Sequence, residues 1–381
     1  MTDFTHLPDL ASRALGGSVV YANDEFFAER ENLIKPEPPV FDPAAFGHKG
    51  KVYDGWETRR RREPGHDHAV VRLGVPGVVR GVVVDTAYFR GNYPPYVSVE
   101  AASVEGHPSP AELAEAEWVP LVPKSPAQGD HANRYPVAVE RCFTHVRLSI
   151  YPDGGVARFR VHGEPVPDPR FLIGTVDLAA LENGGTIVDC SNMFYSSPVN
   201  LLLPGRARHM GEGWENARRR DGGNDHVTVR LGAAGHVRLV ELDTSYFLGN
   251  APGWARLRGI DARTGDLADE GAWFDLVPRT RLQPDTRHRF RTDPARAVTH
   301  VRLDVYPDGG LARLRVHGEL APGAREELVL RWLNLLPGGH ARAVLQGEAG
   351  LSGEDAAALV ARRPFPGLDA LPEPVRAALL G

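Results

Sequence analysis

The stretch DGWETRRRREPGHDHAVVRLG, at Asp54–Gly74, decides the fold because it returns as EGWENARRRDGGNDHVTVRLG at Glu212–Gly232. Continued to residues 94 and 252, the two copies align without a gap and are identical at 24 of 41 positions. Self-similarity of this extent marks a duplicated structural unit. The chain therefore contains two copies of one domain.

A second repeated block sets the length of the unit. Cys142–Glu164 matches residues 297–319 through the shared motifs THVRL, YPDGG and RVHGE, which gives a unit of about 160 residues. We therefore divide the chain into an N-terminal segment (1–15), a first repeat (16–170), a second repeat (171–338) and a C-terminal tail (339–381). In the tail, Ser352 followed by Asp355 predicts a helix that runs to Arg362, outside both domains.

Short segments rich in Val, Thr and Tyr recur inside each unit and predict strands. In the first unit they are HAVVRLG, VVRGVVVDTAYF, PYVSVEAASV, THVRLSIY and VARFRVHG, separated by Gly, Pro and Asn. A parallel α/β sheet would need helices between the strands, and regular strand spacing instead favours an antiparallel sandwich. We expect an all-β protein of two tandem jelly-roll β-sandwich domains with a short helical C-terminal tail.

A hairpin is expected around the turn at residues 152–155, where Asp153 and Gly154 supply turn chemistry. If the residues that flank this turn pair with each other, Arg147 faces Arg160. The same register places five basic side chains on one polar face: His145, Arg147, Arg158, Arg160 and His162. The opposite face then supplies core residues: Val146, Leu148, Ile150, Phe159 and Val161.

The predicted polar face needs an anionic partner, because like charges across a ladder repel each other. Either a carboxylate side chain such as Asp85 or Glu57 compensates the arginines, or an anionic ligand does. The second repeat carries the same pattern, including Arg302. We favour structural ion pairs slightly, and the ligand interpretation stays open.

Composition and charge narrow the class of partner. The net charge is −5 at pH 7, which does not indicate a nucleic-acid or membrane-surface binder. Cys142 and Cys190 occupy non-equivalent positions in the repeat, so we expect buried thiols rather than a disulfide. Because no targeting signal or long apolar stretch is visible, we expect a cytoplasmic protein with a small-molecule substrate and no nucleic-acid or membrane partner. We also expect a homo-oligomer.

Two segments of the first repeat offer candidate chemistry. Trp56–Arg62 is either a solvated loop or a small-ligand site, because it combines an apolar wall, an acceptor and anion-binding guanidinium groups. His66 and Asp67, with His68, can act as a base with its orienting carboxylate or as part of a metal site. In the second repeat Asn224 replaces His66, and asparagine cannot act as a general base.

An aspartate ends a predicted strand in both repeats, at Asp85 and at Asp243, before a Tyr-Phe pair and a Gly-Asn turn. Each carboxylate either holds the turn by hydrogen bonds or accepts hydrogen bonds from a ligand. The sequence does not separate these two roles.

The motifs DGWETRRRR, GHDH before VVRLG, VDTAYFRGNYP and YPDGG with RVHG resemble those of the allantoicase family, over residues 16–337. The resemblance implies tandem jelly rolls of the galactose-binding-like class and the hydrolysis of allantoate to (S)-ureidoglycolate and urea. We expect no cofactor, although a divalent metal stays open. The alternatives are a non-catalytic tandem carbohydrate-binding module and a related ureido-acid hydrolase.

Allantoate carries one carboxylate and two ureido groups, so its hydrolysis needs a cation, hydrogen-bond acceptors and a proton donor. We assign catalysis to three residues: His66, Asp67 and Glu57. We assign substrate binding to residues of both repeats: Trp56, Arg60, Arg72, Asp85, Arg147, Arg160, Glu215, Asp243 and Arg302. No residue is assigned to a metal.

Overall fold

The computed structural model describes residues 3–381, which form two compact units. The first unit ends at Pro167 and takes up the chain again from Leu330 to Leu379, and the second unit spans Asp168–Val329. The change from one unit to the next falls in the proline-containing connector EPVPDPR. Both units are built mainly from strands, as the sequence predicts.

The strands of the first unit are β1 (Ser18–Ala22), β2 (Phe46–Gly47), β3 (Gly50–Lys51), β4 (Trp56–Glu57), β5 (Asp67–Asp85), β6 (Tyr96–Ala102), β7 (Val119–Pro126), β8 (Ala132–Pro136), β9 (Cys142–Tyr151), β10 (Gly155–Val156) and β11 (Arg158–Pro165). A short helix, α1 (Pro110–Ala114), lies between β6 and β7. The strands of the second unit are β12 (Val176–Asp177), β13 (Thr186–Cys190), β14 (Asp225–Asp243), β15 (Trp254–Ile260), β16 (Phe274–Arg281), β17 (Arg287–Arg291), β18 (Ala297–Tyr306) and β19 (Arg313–Leu320). The later helices are α2 (Ala324–Leu335), α3 (Gly338–Ala349), α4 (Gly353–Ala361) and α5 (Glu373–Leu380). Short 3₁₀ helices lie at Phe4–His6, Arg13–Leu15, Arg30–Ile34, Pro169–Phe171, Leu181–Asn183, Pro198–Leu202, Met210–Glu212, Glu270–Ala272 and Leu368–Ala370.

One long strand organises each unit. Strand β5 has 19 residues and changes partners along its length. Up to Arg72 it pairs with β1 and β9, and after a register shift the β9 pairing continues at Gly77 and Val78. It also pairs with β11 from Gly77 onward and with β8 from Gly81 onward. Strand β14, also of 19 residues, does the same in the second unit. The predicted tandem jelly-roll sandwich is confirmed, with HAVVRLG and VVRGVVVDTAYF joined into a single strand.

The predicted hairpin register is wrong. Strand β9 pairs with β5 and β6, whereas β11 pairs with the other half of β5, so Arg147 does not face Arg160. Between them the chain crosses at Gly154, whose φ is 144°. A Cβ atom there would meet the backbone nitrogen of Pro94 at 2.7 Å, so only glycine fits. After this turn, β10 pairs with β4 instead of continuing a hairpin.

The predicted core residues are confirmed even though the register is not. Each of the five is 0 % exposed: Val146, Leu148, Ile150, Phe159 and Val161. Alternation along each strand fixes which side chains point inward, whichever strand lies alongside. The buried side of a strand is therefore easier to predict than its partner.

The C-terminal tail belongs to the first compact unit, which corrects the expectation that it lies outside both domains. Buried His340, on α3, contacts the Ser103 hydroxyl and the Glu105 carboxylate, each at 2.7 Å. The predicted helix that begins after Ser352 is α4, and the Ser352 hydroxyl accepts from the Asp355 backbone N–H. Packing against the first repeat explains why these short helices are stable.

The state of the two cysteines and the character of the helices bear on two further expectations. Both cysteines are thiols rather than halves of a disulfide, with Cys142 buried and Cys190 half-buried. Between residues 3 and 381 no helix has both the length and the apolar character that crossing a membrane requires.

Candidate active site

A cleft of 510 Å³ opens in the first unit where β4 meets the turn after β9. Its lining comes from four places in the chain: Phe27; Glu57, Thr58, Arg60 and Arg61; Asn92, Tyr93 and Pro95; and Pro152, Asp153 and Gly154. A cleft of this volume with a few convergent polar groups is typical of a small-molecule site.

The wall of the cleft is anchored by Trp56. Its indole is fully buried, and its Nε1 donates to the Asp24 carbonyl at 2.7 Å. The next residue, Glu57, is held from both sides, because its backbone oxygen accepts from the Phe27 N–H and β4 pairs with β10. Trp56, predicted to bind substrate, therefore positions the neighbouring Glu57.

The Glu57 carboxyl group is the most distinctive chemical feature of the cleft. It accepts from the Asn92 side-chain amide at 2.6 Å, and it has no ion-pair partner in the described chain. Burial raises the pKa of Glu57 above that of an ordinary glutamate. Glu57 can therefore hold a proton at a pH at which exposed carboxyl groups have lost theirs, as a general acid must.

The raised pKa of Glu57 has a consequence for stability. A group whose pKa is raised in the folded protein contributes stability below its unfolded pKa, and this contribution is lost as pH rises through the folded pKa. We therefore expect Glu57→Gln to melt at a higher temperature than the parent protein at pH 7 to 8. The two melting temperatures should converge at about pH 4. Calorimetric melting across this range, with exposed Glu63→Gln as control, measures the difference. Parallel melting temperatures at every pH would contradict the assignment.

Arg61, which lines the cleft and is partly exposed, forms an ion pair with buried Asp67. The Arg61 backbone N–H donates to Asp153 at 2.8 Å, and its Nη1 donates to Asp67 Oδ1 at 2.6 Å. Asp67 is 1 % exposed and also accepts from the Asn23 side chain. Its contacts show that Asp67 holds Arg61 against the cleft.

Arg60 has the opposite character. Its side chain is exposed and lines the cleft, and across residues 3–381 it makes no hydrogen bond or ion pair. A guanidinium group without a protein partner can bind a carboxylate by two parallel hydrogen bonds. Arg60 is the best placed of the predicted anion-binding residues.

His66 is outside the set of cleft-lining residues. Its ring lies 4.8 Å from the Tyr151 ring and 6.1 Å from the His68 ring, between ring centroids. Burial, together with the charges of Arg147 and Arg61, lowers the pKa of His66. The imidazole is therefore neutral at pH 7 and able to accept a proton. In the part of the chain that the structure covers, no three His, Cys, Asp or Glu side chains cluster as a metal site.

Most of the predicted arginines have protein carboxylates as partners. Arg147 pairs with Glu100 at 2.7 Å, and Arg160 pairs with Asp9 at 3.3 Å. Arg158 pairs with Asp54 at 2.6 Å. The favoured interpretation, structural ion pairs, is the one observed, but neither suggested partner, Asp85 or Glu57, supplies the charge.

Two further predicted residues of the first repeat are not brought to the cleft. Arg72 lies within β5 opposite Ser18 and His145. Asp85 ends β5, and its carboxylate accepts from the Ala87 N–H at 2.9 Å, as expected for a residue that holds a turn.

The predicted residues of the second repeat each have different partners. Asp243 is buried and accepts from the Ser245 N–H at 2.9 Å, as Asp85 does from its own turn. Arg302 pairs with Asp304 and Glu270 at 3.3 and 3.4 Å. Glu215 accepts from Asn250 at 2.6 Å, which repeats the Glu57 contact.

Asn92 and Asp153 line the cleft and were not predicted as site residues, and Arg61 was included only within the candidate segment Trp56–Arg62. The sequence did contain a signal for them, because all three lie in motifs that both repeats share: the Gly-Asn turn, the arginine run and YPDGG. What it lacked was the pairing of β4 with β10, which brings these motifs together.

A tandem β-sandwich whose cleft holds a carboxyl group and an unpaired guanidinium group has the features of a protein with a small-molecule site. The allantoicase repeat model matches residues 8–166 and 176–321. The chain belongs to the allantoicase family.

Relatives of known name support this membership. A probable allantoicase of Nocardia farcinica is 61% identical over 83% of this chain and 95% of its own. One from Streptomyces coelicolor is 53% identical over 86% and 89%. The crystal structure of allantoicase from Saccharomyces cerevisiae is similar with a TM-score of 0.70 and 35% identity, covering 82% of this chain and 92% of that one.

Proposed function

We propose that this protein is an allantoicase, a hydrolase of C–N bonds in linear amidines that converts allantoate to (S)-ureidoglycolate and urea. The observation that carries the proposal is the cleft, where Glu57 and Arg60 line one cavity within the region that matches the family. An unpaired guanidinium group suits a carboxylate substrate better than a neutral sugar, which disfavours the carbohydrate-binding alternative.

The reaction breaks one bond between the central carbon and a ureido nitrogen of allantoate, and forms a bond from that carbon to a water oxygen. We assign Arg60 to the substrate carboxylate and Glu57 to the proton that the departing urea nitrogen takes up. The proton that water loses is assigned to the neutral imidazole of His66. Asp67 acts as a positioning residue, because its contact is with Arg61.

The proposal is tested by incubating the purified full-length protein with allantoate and measuring urea release. We expect urea and ureidoglycolate in equal amounts, and no urea from galactose. Parallel incubations with ureidoglycolate test the related ureido-acid hydrolase, and a chelator in each incubation tests metal dependence. A protein that releases no urea from allantoate is not an allantoicase. The expected cytoplasmic location, homo-oligomeric state and lack of nucleic-acid or membrane partners stay predictions.

A further inference from the structure

The second repeat keeps the wall of the cleft. Trp214 Nε1 donates to the Asn192 carbonyl at 2.8 Å, as Trp56 does to Asp24. The backbone oxygen of Glu215 accepts from the Tyr195 N–H, and its carboxylate accepts from Asn250 at 2.6 Å. The second glutamate is therefore held by the same contacts as Glu57.

The base of the cleft is also repeated. The Arg219 backbone N–H donates to Asp308 at 2.7 Å, and its guanidinium donates to buried Asp225 at 2.7 Å. These are the contacts that Arg61 makes with Asp153 and Asp67 in the first repeat.

Arg218, the counterpart of Arg60, is exposed and makes no hydrogen bond or ion pair with any described residue. Its neighbour Arg219 pairs with the carboxylates of Asp221 and Asp225, so the difference between the two arginines is the one seen between Arg60 and Arg61. A cation without a protein partner thus recurs beside the second glutamate.

Asn216 adds an independent observation. It replaces Thr58, which lines the first cleft, and it is 4% exposed. Its Oδ1 accepts from the Gly309 N–H at 2.8 Å, so its Nδ2 is the free end, and this atom has no partner between residues 3 and 381. A buried amide donor without an acceptor destabilises the fold. A ligand carbonyl oxygen would satisfy it.

The proton acceptor of the first repeat is absent from the second. Asn224 occupies the position of His66, and its side chain donates to Asp304 at 3.3 Å. An amide does not accept a proton near neutral pH, so the second site lacks the base that we assign to the first.

We propose that the second repeat carries a separate binding site for a ureido carboxylate at Glu215, Asn216 and Arg218. Arg218 binds the carboxylate, Asn216 donates to the ureido oxygen and Glu215 accepts from the ureido N–H groups. The site binds this ligand but hydrolyses it more slowly than the site of the first repeat does. The choice of ligand class rests on the proposed function.

The test counts binding sites by equilibrium dialysis with N-carbamoylglycine, a ureido carboxylate that has no second ureido group to lose. We expect two equivalents per chain for the full-length protein. We expect one equivalent for Arg218→Ala and one for Arg60→Ala, since each variant removes one exposed cation. Arg220→Ala, an exposed arginine two residues away, is the matched control and keeps two.

One equivalent in the parent protein, unchanged by Arg218→Ala, overturns the second site, and so does the absence of binding by an active preparation. Urea release from allantoate is measured on the same preparation. An active protein with one equivalent leaves the proposed function intact and removes this inference. If the protein releases no urea from allantoate, the proposed function is wrong. Two bound equivalents of N-carbamoylglycine per chain would still establish the second site.

Discussion

Glu57→Gln is expected to lower kcat for urea release by a factor of about 10² to 10⁴, with little change in KM. The substituted amide keeps the volume of the side chain and can still accept from Asn92, so the cleft stays in place. What it loses is the acidic proton that the departing nitrogen needs. Initial rates of urea release across a range of allantoate concentrations separate kcat from KM.

Two companion variants make this result specific. Glu63→Gln removes an exposed carboxylate six residues away and is expected to leave both constants unchanged. Combining Glu215→Gln with Glu57→Gln measures how much of the urea release comes from the second repeat. If Glu57→Gln keeps the parent kcat both alone and together with Glu215→Gln, Glu57 is not the general acid.

The pH profile gives an independent measurement. Because burial raises the pKa of Glu57, the protonated form persists to higher pH than for an exposed glutamate. The parent kcat should therefore fall as pH rises through that pKa, and the residual rate of Glu57→Gln should not fall there. If the parent kcat does not fall as pH rises through that range, Glu57 is not the general acid, even if Glu57→Gln is slow.

Arg158→Met is expected to destabilise the first unit by about 3–5 kcal/mol, the largest stability effect that we expect from a single substitution. Arg158 is 1% exposed, and its guanidinium pairs with Asp54 at 2.6 Å. It also donates to the carbonyls of Glu37, Asp54 and Ala157. The substitution leaves these acceptors without their donor. Differential scanning calorimetry measures the loss as a lower unfolding temperature.

The second repeat offers a matched comparison. Arg313, the counterpart of Arg158, donates to carbonyl oxygens and has no carboxylate partner among residues 3–381. Burial lowers its pKa to about 10. Arg313→Met should lower the free energy of unfolding by less, because no carboxylate loses its partner. Exposed Arg62→Met should change the free energy of unfolding by less than about 0.5 kcal/mol. Equal losses for Arg158→Met and Arg313→Met would show that the Asp54 pair contributes nothing.

The fold could be predicted because its signals are local or repeated. Duplication fixes two domains, and Val-rich segments fix strands and their buried faces. Strand pairing is not local: β9 and β11 are neighbours in sequence, but both pair with the distant β5. The single 19-residue strand was read as two strands because its central glycines and proline are typical of a turn.

The site was predicted only in part, for the same reason. Glu57, Trp56 and Arg60 lie in one continuous motif, so the sequence could place them together. Whether an arginine is free for a ligand depends on carboxylates elsewhere in the chain, such as Glu100 for Arg147. Neither the partners nor the unpaired state of Arg60 can be inferred without the folded structure.

The assignment of the C-terminal helices to the first unit makes the second repeat an insertion in the chain of the first. Cutting after Pro167 would give a fragment that lacks the contact from His340 to Ser103 and Glu105. An autonomous first domain would require residues 3–167 to be joined to 330–381 by a designed linker. The limits of the sequence repeat and the limits of the compact unit therefore differ.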